Sequence, residues 1–328
     1  MRMSGFSLEL CAGAGGQALG LERAGFEHAG LVEIDPHACG TLRLNRPAWT
    51  VHEADLKTFN AIAYKGVDLL AGGFPCPPFS IAGKQLGPDD ERDLFPAGLR
   101  IIDQVRPKAV MIENVKGILA PAFANYRADI DKNLQTMGYL TSWKLLNAAD
   151  FGVSQLRPRV VIVALKKQYA SQFIWPTPKR KSKTVGDLLH DLMTVRNWRG
   201  ADEWRELAGR IAPTVVGGSK KHGGPDLGPT RARRAWAELG VDGIGIADQP
   251  PDEHFEGMPR LTVRMVARVQ GFPDDWNFFG KKTASYRQVG NAFPPPVAFA
   301  VASAISRAIT SKGVRRGPLK SEWQPVMI

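Results

Sequence analysis

The stretch FSLELCAGAGGQALGLERA, residues 6–24, predicts a β-strand, a glycine loop and an α-helix in direct succession. The apolar and polar residues alternate at first, as in a half-buried strand, and glycines break the pattern at residues 13–16. Residues 17–24 then have helical spacing. A second strand over residues 28–33 ends on Glu33, 20 residues after the first glycine of the loop. This order is typical of the first crossover in a nucleotide-binding α/β domain.

The loop fits two kinds of ligand. Gly13, Gly15 and Ala18 satisfy the G-x-G-x-x-G/A pattern of dinucleotide-binding proteins, which favours a nicotinamide-dependent dehydrogenase. S-adenosylmethionine fits equally well, because it also carries a ribose whose hydroxyls can donate to Glu33. A third short strand ends on Asp55, in a position to meet an adenine edge. The ligand is therefore predicted to contain a nucleoside.

Further alternation of apolar strands and helices predicts an α/β fold. The remaining strands that the pattern indicates are residues 67–71, 108–115, 139–146 and 159–165. Helical spacing covers residues 94–105, 121–137, 261–269 and 296–309. Seven strands interleaved with helices predict a doubly wound, mostly parallel seven-stranded sheet. From about residue 173 to Arg260 the alternation fails, and frequent Pro, Gly, Trp and basic residues predict a domain boundary near residue 173.

The composition is that of a soluble globular protein with a polyanionic partner. The 328 residues carry a net charge of +11, and residues 179–234 hold 13 Lys and Arg against six Asp and Glu. A segment this basic is more typical of a nucleic-acid-binding surface than of an ordinary solvated surface. Three cysteines and six scattered histidines predict neither a disulfide framework nor a metal site. We expect a cytoplasmic protein, because the N-terminus leaves no room for a signal peptide and no apolar run approaches a membrane span.

A cysteine follows the predicted fourth strand, within GGFPCPPFS at residues 72–80. The prolines on both sides of Cys76 stiffen the backbone and prevent a helix. Ligands bind at this edge of α/β sheets, so Cys76 is a candidate nucleophile. A small apolar residue in a tight turn is the alternative. The polar, Gly-containing loop over residues 80–91 is long enough to predict a lid beside Cys76.

Further charged residues converge on the same edge. Glu113 ends the next predicted strand, and a thiol with a carboxylate at one edge suggests covalent catalysis. A strand-end cap of the following helix is the alternative for Glu113. Arg157 and Arg159 precede the last strand and supply two cations that could hold a phosphate or a base carbonyl.

Six motifs in this order resemble those of the DNA (cytosine-5) methyltransferase family, of the bacterial and phage modification type. They are residues 6–16, Gly73-Phe74-Pro75-Cys76, Glu113-Asn114-Val115, Gln155-x-Arg157-x-Arg159, residues 260–264 with 270–273, and Gln288-Val289-Gly290-Asn291. The match covers nearly the whole chain outside residues 173–259, where that family carries its variable target-recognition domain.

The resemblance implies methyl transfer from S-adenosylmethionine to carbon 5 of a cytosine flipped out of duplex DNA. Cys76 would add to carbon 6, Glu113 would protonate the ring nitrogen, and Arg159 would orient the base carbonyl, with Arg157 completing the catalytic set. The same chemistry on RNA and a non-catalytic DNA-binding protein that retains the fold are the alternatives. An amino-group methyltransferase is disfavoured, because a cysteine stands where its Asp/Asn-Pro-Pro-aromatic motif needs Asp or Asn.

Two further sets of residues follow from the motifs. The residues expected to bind the cofactor are Leu10, Cys11, Ala12, Gly13, Gly15, Gly16, Glu33, Ile34, Asp55, Leu56, Gly73, Pro75, Asn291 and Ala292. The residues expected to contact DNA are Ser80, Lys84, Gln85, Arg92, Lys220, Lys221, Arg231, Arg233 and Arg234. Cys11 and Ile34 stand where the family usually has aromatic residues, so a differently packed adenosine pocket is expected.

The resemblance also implies a domain division and a biological role. Residues 1–172 plus 286–328 would form the catalytic, cofactor-binding domain, and residues 173–285 the target-recognition domain. The protein is expected to be a monomer without a metal ion that acts on double-stranded DNA and releases S-adenosylhomocysteine. Its expected role is that of the protective methylase of a restriction-modification system, with a cognate restriction endonuclease as its functional counterpart.

Overall fold

Seven strands form one sheet in the parts of the chain that the computed structural model describes, residues 4–75, 93–178, 181–217 and 224–311. The strands are β1 Gly5–Leu10, β2 Phe26–Glu33, β3 Val51–Glu53, β4 Leu69–Gly73, β5 Ala109–Val115, β6 Tyr139–Asn147 and β7 Pro158–Lys166. Their order across the sheet is β3-β2-β1-β4-β5-β7-β6. The predicted doubly wound, mostly parallel sheet is confirmed.

One strand of this sheet runs against the others. β7 is antiparallel to both of its neighbours, β5 and β6. Its first residues therefore lie at the edge where the parallel strands end, and Arg159 is in register with Val115 at the end of β5. On the other side of β5, Glu113 is in register with Gly73, the last residue of β4. The reversal of β7 brings an arginine and a carboxylate, 46 residues apart in sequence, to one edge.

The helices pack on both faces of the sheet and in the irregular region after residue 173. They are α1 Gly16–Arg23, α2 Pro36–Asn45, α3 Phe95–Val105, α4 Ala124–Thr136, α5 Lys167–Ala170, α6 Val185–Met193, α7 Ala201–Leu207, α8 Thr230–Ala237, α9 Val263–Val269, α10 Lys282–Asn291 and α11 Pro295–Thr310. The helix predicted over residues 121–137 begins later, because a separate turn of 3-10 helix occupies residues 121–123. The helix predicted from residue 261 begins at Val263, where the Thr262 hydroxyl accepts from the Met265 amide at 3.3 Å.

The irregular region after residue 173 contains the short helices α6, α7 and α8, which the sequence pattern did not predict. Buried tryptophans, among them Trp204 and Trp236, pack in one apolar cluster with residues of α9 and α10. Leu19 of α1 belongs to the same cluster. Short helices of this kind are stabilised by tertiary burial, because propensity alone is too weak at their length. The cluster joins the inserted region directly to the sheet domain.

The C-terminal helix α11 is a core element. Its small residues allow close contact with α1, and a Cβ on Gly20 would lie 2.4 Å from the Ala298 Cβ. Residues 282–310 are long and apolar enough for a membrane span by length and composition, yet 67% of the most apolar window is buried inside the protein. Burial against the sheet and α1 accounts for this apolar character.

A half-buried histidine links the first strand to the first helix. His28 Nε2 lies 3.1 Å from the Ala18 carbonyl oxygen, and its Nδ1 lies 3.0 Å from the Ser7 hydroxyl. The Trp49 ring packs edge-on against the imidazole, with ring centroids 4.5 Å apart. Burial lowers the pKa of His28 from 6.5 to about 4, and the Ala18 carbonyl and Glu22 offset only part of that effect. The imidazole is therefore neutral in the folded protein near pH 7.

We predict that His28 makes the protein acid-sensitive. The unfolded chain binds this proton more readily than the folded one, so the contribution to stability is complete above about pH 6.5 and is lost as the pH falls toward 4. The free energy of unfolding should fall by at most about 1.4 kcal/mol per pH unit from this group. In urea titrations at pH 7 and pH 4.5, the His28→Gln variant should lose less stability than wild type. His254→Gln, at an exposed histidine, is the control and should match wild type. Parallel losses in all three proteins would contradict the assignment to His28.

Candidate active site

The glycine loop after β1 presents its backbone to open space. Gly13 and Gly15 have φ values of 54° and 86°, a region that favours glycine. A Cβ built on Gly13 would find no atom within 4 Å, whereas one on Gly15 would collide with the Trp276 ring at 2.7 Å. The loop is thus packed on one side and open on the other. The open side can admit a ligand close to the main chain.

Glu33 holds this loop in place. One carboxylate oxygen accepts from the Gly13 amide at 2.7 Å, and the other accepts from the amides of Ile34 and Asp35, both at 2.8 Å. A carboxylate has about four acceptor positions, so these three bonds leave room for a ligand hydroxyl. Glu33, the acid that the sequence predicts at the end of β2, therefore holds the glycine loop and also faces the predicted cofactor site.

Glu9 is a candidate functional residue that the sequence analysis missed. Its side chain is buried on β1, and neither carboxylate oxygen has a hydrogen-bond partner among the described residues. Burial raises the pKa of Glu9 well above its ordinary value, with a nearby Ala18 amide opposing and the charge of Glu33 adding to the rise. A buried acceptor without a partner is costly and indicates a missing donor. The signal in the sequence was an acid in the middle of the apolar run Leu8-Glu9-Leu10.

The residues predicted to line the adenosine side of the pocket differ in exposure. Ile34 is 62% exposed next to Glu33, Leu56 is buried, and Asp55 is exposed with its side chain accepting from the Lys57 amide. Cys11 is partly buried behind the glycine loop with a φ of 53°. Burial and three nearby carboxylates raise the pKa of the Cys11 thiol far above its ordinary value. That thiol stays protonated and is unsuited to act as a nucleophile.

Glu113 and Arg159 form an ion pair at the catalytic edge. The Arg159 Nε lies 2.8 Å from one Glu113 carboxylate oxygen, and both side chains are 14% exposed. A Cβ on Gly73 would lie 3.2 Å from the other oxygen, so only glycine leaves this carboxylate uncrowded. Desolvation raises the pKa of Glu113, although the cations of Arg159 and Arg157 oppose the rise. The carboxyl is poised to exchange a proton more readily than an exposed glutamate.

The segment that leads to Cys76 is anchored to the strand that carries Glu113. The Asn114 side-chain amide donates to the Phe74 carbonyl oxygen at 3.0 Å, and Phe74 is buried. Pro75 is exposed and precedes Cys76 directly. Cys76 lies outside the described residues, as do Ser80, Lys84, Gln85, Arg92, Lys220 and Lys221.

Arg157 has a different environment from Arg159. It is 1% exposed, and its guanidinium donates to the carbonyl oxygens of Val215, Gly290 and Ala292 at 2.7, 2.8 and 3.1 Å. Desolvation and the neighbouring Arg159 lower the pKa of Arg157 to about 9, with Glu113 opposing. The donor groups face protein carbonyls, so this side chain joins three chain segments. The closest contacts of the Arg157 guanidinium are therefore with the main chain of the protein.

Two glutamines extend this buried polar network. The Gln155 side-chain amide donates to the Gln270 side-chain oxygen, and Gln270 donates to the Ala292 carbonyl at 2.6 Å. The Gln155 oxygen accepts from the Val215 amide at 2.8 Å. The network connects the β6–β7 loop, the inserted region, α9 and the segment after α10. It brings Asn291 and Ala292, both predicted cofactor residues, to the edge of the sheet domain.

Basic residues of α8 lie at the surface of the inserted region. Arg231 and Arg234 are exposed and Arg233 is half-buried. None of the three pairs with an acid in the part of the chain that the structure describes. Unpaired arginines on one short helix are available to a polyanion. The described residues also contain no cluster of three or more His, Cys, Asp or Glu side chains that could hold a metal ion.

A sheet of this strand order, with a glycine loop after β1 and an acid at the end of β2, defines the class of S-adenosylmethionine-dependent methyltransferases. The sequence model of the family "C-5 cytosine-specific DNA methylase" matches residues 6–307, and the chain belongs to that family. The protein is therefore a DNA (cytosine-5) methyltransferase that uses S-adenosylmethionine, and the resemblance of its motifs is confirmed.

Relatives agree with this assignment, and two solved structures share the fold. The chain is 59% identical over 307 residues to the type II methyltransferase M.NgoMIV of Neisseria gonorrhoeae, across 92% of this chain and 97% of that protein. It is 55% identical over 315 residues to M.NaeI of Lentzea aerocolonigenes, across 94% of this chain and 76% of that protein. A putative DNA modification methyltransferase encoded within an E. coli prophage has the same fold, with a TM-score of 0.67 at 23% identity over 93% of this chain and 99% of that one. Spodoptera frugiperda DNMT2 also shares the fold, with a TM-score of 0.62 at 18% identity over 93% and 99% of the two chains.

We predict that Arg157 stabilises the folded protein. The Arg157→Met variant keeps an apolar stem but leaves three buried carbonyl oxygens without their donor, and each unsatisfied acceptor costs about 1–3 kcal/mol. Thermal unfolding should show a loss of several degrees in Tm, at about 2–4 °C per kcal/mol for a protein of this size class. Arg127→Met is the matched control, because Arg127 donates to two carbonyls from a half-buried position. An equally small loss in both variants would show that the Arg157 network contributes little.

Proposed function

We propose that this enzyme methylates carbon 5 of a cytosine that is flipped out of a specific duplex DNA sequence, through a covalent adduct with Cys76. The observation that carries the proposal is the arrangement of Gly73, Glu113 and Arg159 at one sheet edge. Cys76 follows Gly73 by three residues, on a segment whose Phe74 carbonyl is held by Asn114. A nucleophile, a proton donor and a cation would thus meet around one small substrate ring.

The chain has the residues to hold S-adenosylmethionine. The open main chain at Gly13 and the free acceptor positions of Glu33 suit the ligand backbone and its ribose hydroxyls. The unpartnered carboxylate of Glu9 suits the ammonium group of the methionine part. We assign the remaining pocket to Leu10–Ala12, Ile34, Asp55, Leu56, Gly73, Pro75, Asn291 and Ala292. When bound, the cofactor supplies an electrophilic methyl group.

The residues at the edge account for the substrate chemistry. Addition of the Cys76 thiolate to carbon 6 breaks the carbon 5–carbon 6 double bond and makes carbon 5 nucleophilic. Glu113 donates a proton to the ring nitrogen and so accepts the charge that this addition creates; its raised pKa suits that task. After methylation, the ring nitrogen returns its proton to Glu113, a base removes the carbon 5 proton, the double bond re-forms and Cys76 leaves as the thiolate. Arg159 keeps the Glu113 carboxyl oriented and lies where it can also reach the base carbonyl.

The reaction requires the base to leave the helix, because carbon 6 is covered by neighbouring bases in a stacked duplex. We assign DNA binding to residues 173–285, with Arg231, Arg233 and Arg234 on the exposed part of α8, together with Lys220 and Lys221. Ser80, Lys84, Gln85 and Arg92, in the loop that follows Cys76, would close over the flipped base. The bordering catalytic domain would comprise residues 1–172 plus 286–328.

The relatives support a biological role. Both M.NgoMIV and M.NaeI are described as type II methyltransferases. We infer that this enzyme protects host DNA within a restriction-modification system whose endonuclease reads the same sequence. A monomer acting in the cytoplasm fits such a role.

We predict that Cys76 is trapped by 5-fluorocytosine. In that base, fluorine replaces the proton that must leave, so the adduct cannot resolve once methyl transfer has occurred. Wild-type protein incubated with fluorinated duplex DNA and S-adenosylmethionine should give a complex that survives denaturing electrophoresis. Cys76→Ala should give none, whereas Cys39→Ala, at a buried core cysteine, should give as much as wild type. Identical complexes with wild type and Cys76→Ala would refute the covalent mechanism. Fluorinated single-stranded RNA in a parallel reaction tests the alternative substrate.

We predict that Glu113 acts as a proton donor. The Glu113→Gln variant keeps the shape and the contact with Arg159 but cannot transfer a proton, and general acid catalysis is typically worth about 100- to 10,000-fold. Methyl incorporation into duplex DNA at saturating cofactor should fall by a factor in that range, while binding of S-adenosylhomocysteine persists. Glu27→Gln, at an exposed acid on β2, is the control. Unchanged turnover in Glu113→Gln would assign the residue to structure alone.

A further inference from the structure

Two aromatic rings lie behind the glycine loop, on the side away from its open face. A Cβ on Gly15 would lie 2.7 Å from the Trp276 ring, and one on Gly16 would lie 3.2 Å from the Phe272 ring. The two rings are partly stacked, with centroids 6.2 Å apart and an interplanar angle of 30°. Gly15 is thus backed by the Trp276 ring. Gly16 is backed by the Phe293 carbonyl oxygen and the Ala292 Cβ as well as by the Phe272 ring, and all of these groups lie more than 250 residues later in the chain.

Trp276 also forms a directional contact with the loop. Its indole Nε1 donates to the Ala14 carbonyl oxygen at 3.0 Å, and the side chain is 2% exposed. The Arg46 guanidinium lies over the other part of the same ring, 5.3 Å from its centroid, and forms two bonds to Glu22. The indole is therefore fixed on both sides before any ligand arrives.

The segment that carries Trp276 is itself fastened to the sheet domain. Asn45 of α2 and Asn277 exchange two hydrogen bonds, in which the Asn45 amide donates to the Asn277 carbonyl at 2.6 Å and the Asn277 amide donates to the Asn45 side chain at 2.8 Å. The Phe279 amide donates to the Thr41 hydroxyl at 2.8 Å. These contacts keep the indole from withdrawing, so the Ala14–Gly15 turn meets a fixed surface.

We propose that Trp276 is a positioning residue of the cofactor site: its ring and its N–H hold the Ala14–Gly15 turn in the left-handed conformation that opens Gly13 to the ligand. The proposal rests on the assignment of this loop to the cofactor. A loop with three residues at positive φ, two of them glycines, has many alternative conformations in a free chain, and these must be given up on binding. Pre-organisation of the loop lowers that cost and raises affinity.

The test is the dissociation constant for S-adenosylhomocysteine, measured by isothermal titration calorimetry on the full chain. Trp276→Phe removes the donor to Ala14 and the outer part of the ring but keeps an aromatic side chain. We expect the dissociation constant to rise about tenfold, while kcat for methylation of duplex DNA at saturating cofactor stays within about twofold of wild type. Loss of affinity with retained kcat is the result that a general loss of structure would not give.

Trp204→Phe is the matched control. Trp204 is also buried, at 3% exposure, and its Nε1 donates to the Gly240 carbonyl at 3.1 Å, away from the glycine loop. Both variants should lose a similar amount of Tm, and only Trp276→Phe should weaken cofactor binding. Phe272→Leu, which shortens the ring behind Gly16, is a second variant and should raise the dissociation constant in the same direction.

Three outcomes separate the possibilities. A rise confined to Trp276→Phe and Phe272→Leu supports the proposal. Unchanged affinity in Trp276→Phe, or an equal rise in Trp204→Phe, overturns it while leaving the cofactor site in place. Wild-type protein that fails to bind S-adenosylhomocysteine would overturn the assignment of the loop itself, and the positioning role with it.

Discussion

The ion pair between Glu113 and Arg159 is the interaction on which the active edge depends. A carboxylate that is 14% exposed is costly to ionise without a cation, and Arg159 Nε stands 2.8 Å from it. An all-parallel sheet would carry the start of the last strand to the opposite edge. The antiparallel course of β7 instead brings Arg159 beside the end of β5. The one reversal in the sheet is thus what places a cation beside the half-buried Glu113 carboxylate.

Arg157, two residues before Arg159, is a second cation and has a different role. Its partners are main-chain carbonyls from the inserted region, from the end of α10 and from Ala292 just after that helix, and these oxygens can be satisfied only when all segments are assembled. Such a network gives a definite relative position to the parts that it joins, because a partly satisfied buried network is unfavourable. The inserted region and the catalytic edge are therefore not independent bodies joined by a tether. They share polar contacts as well as the apolar cluster that includes Leu19.

The glycine loop on the cofactor side is also held by contacts from several parts of the chain. Glu33 accepts one bond from the glycine loop, at the Gly13 amide, and two from the amides of Ile34 and Asp35, while Trp276 and Phe272 pack against the loop. Loops with positive φ are costly to order, and rigid contacts on both sides reduce that cost before a ligand binds. The open face at Gly13 and the unpartnered carboxylate of Glu9 then remain as the features that only a ligand would complete.

The sequence by itself determined the sheet, its seven strands and the family, since these rest on local periodicity and on short motifs that keep their order along the chain. It also placed Glu33 and Glu113, because an acid that follows an apolar strand must lie at the sheet edge. Tertiary structure alone decided what the two arginines do. Arg157 precedes β7 and Arg159 is the second residue of that strand, only two positions apart, and only their surroundings make one a buried donor to main-chain carbonyls and the other a partner of Glu113. The local pattern also did not predict helices α6 to α8, because helices this short depend on tertiary burial. It did not predict the contact between Trp276 and Ala14 either, because residues so far apart in sequence meet only when the chain folds.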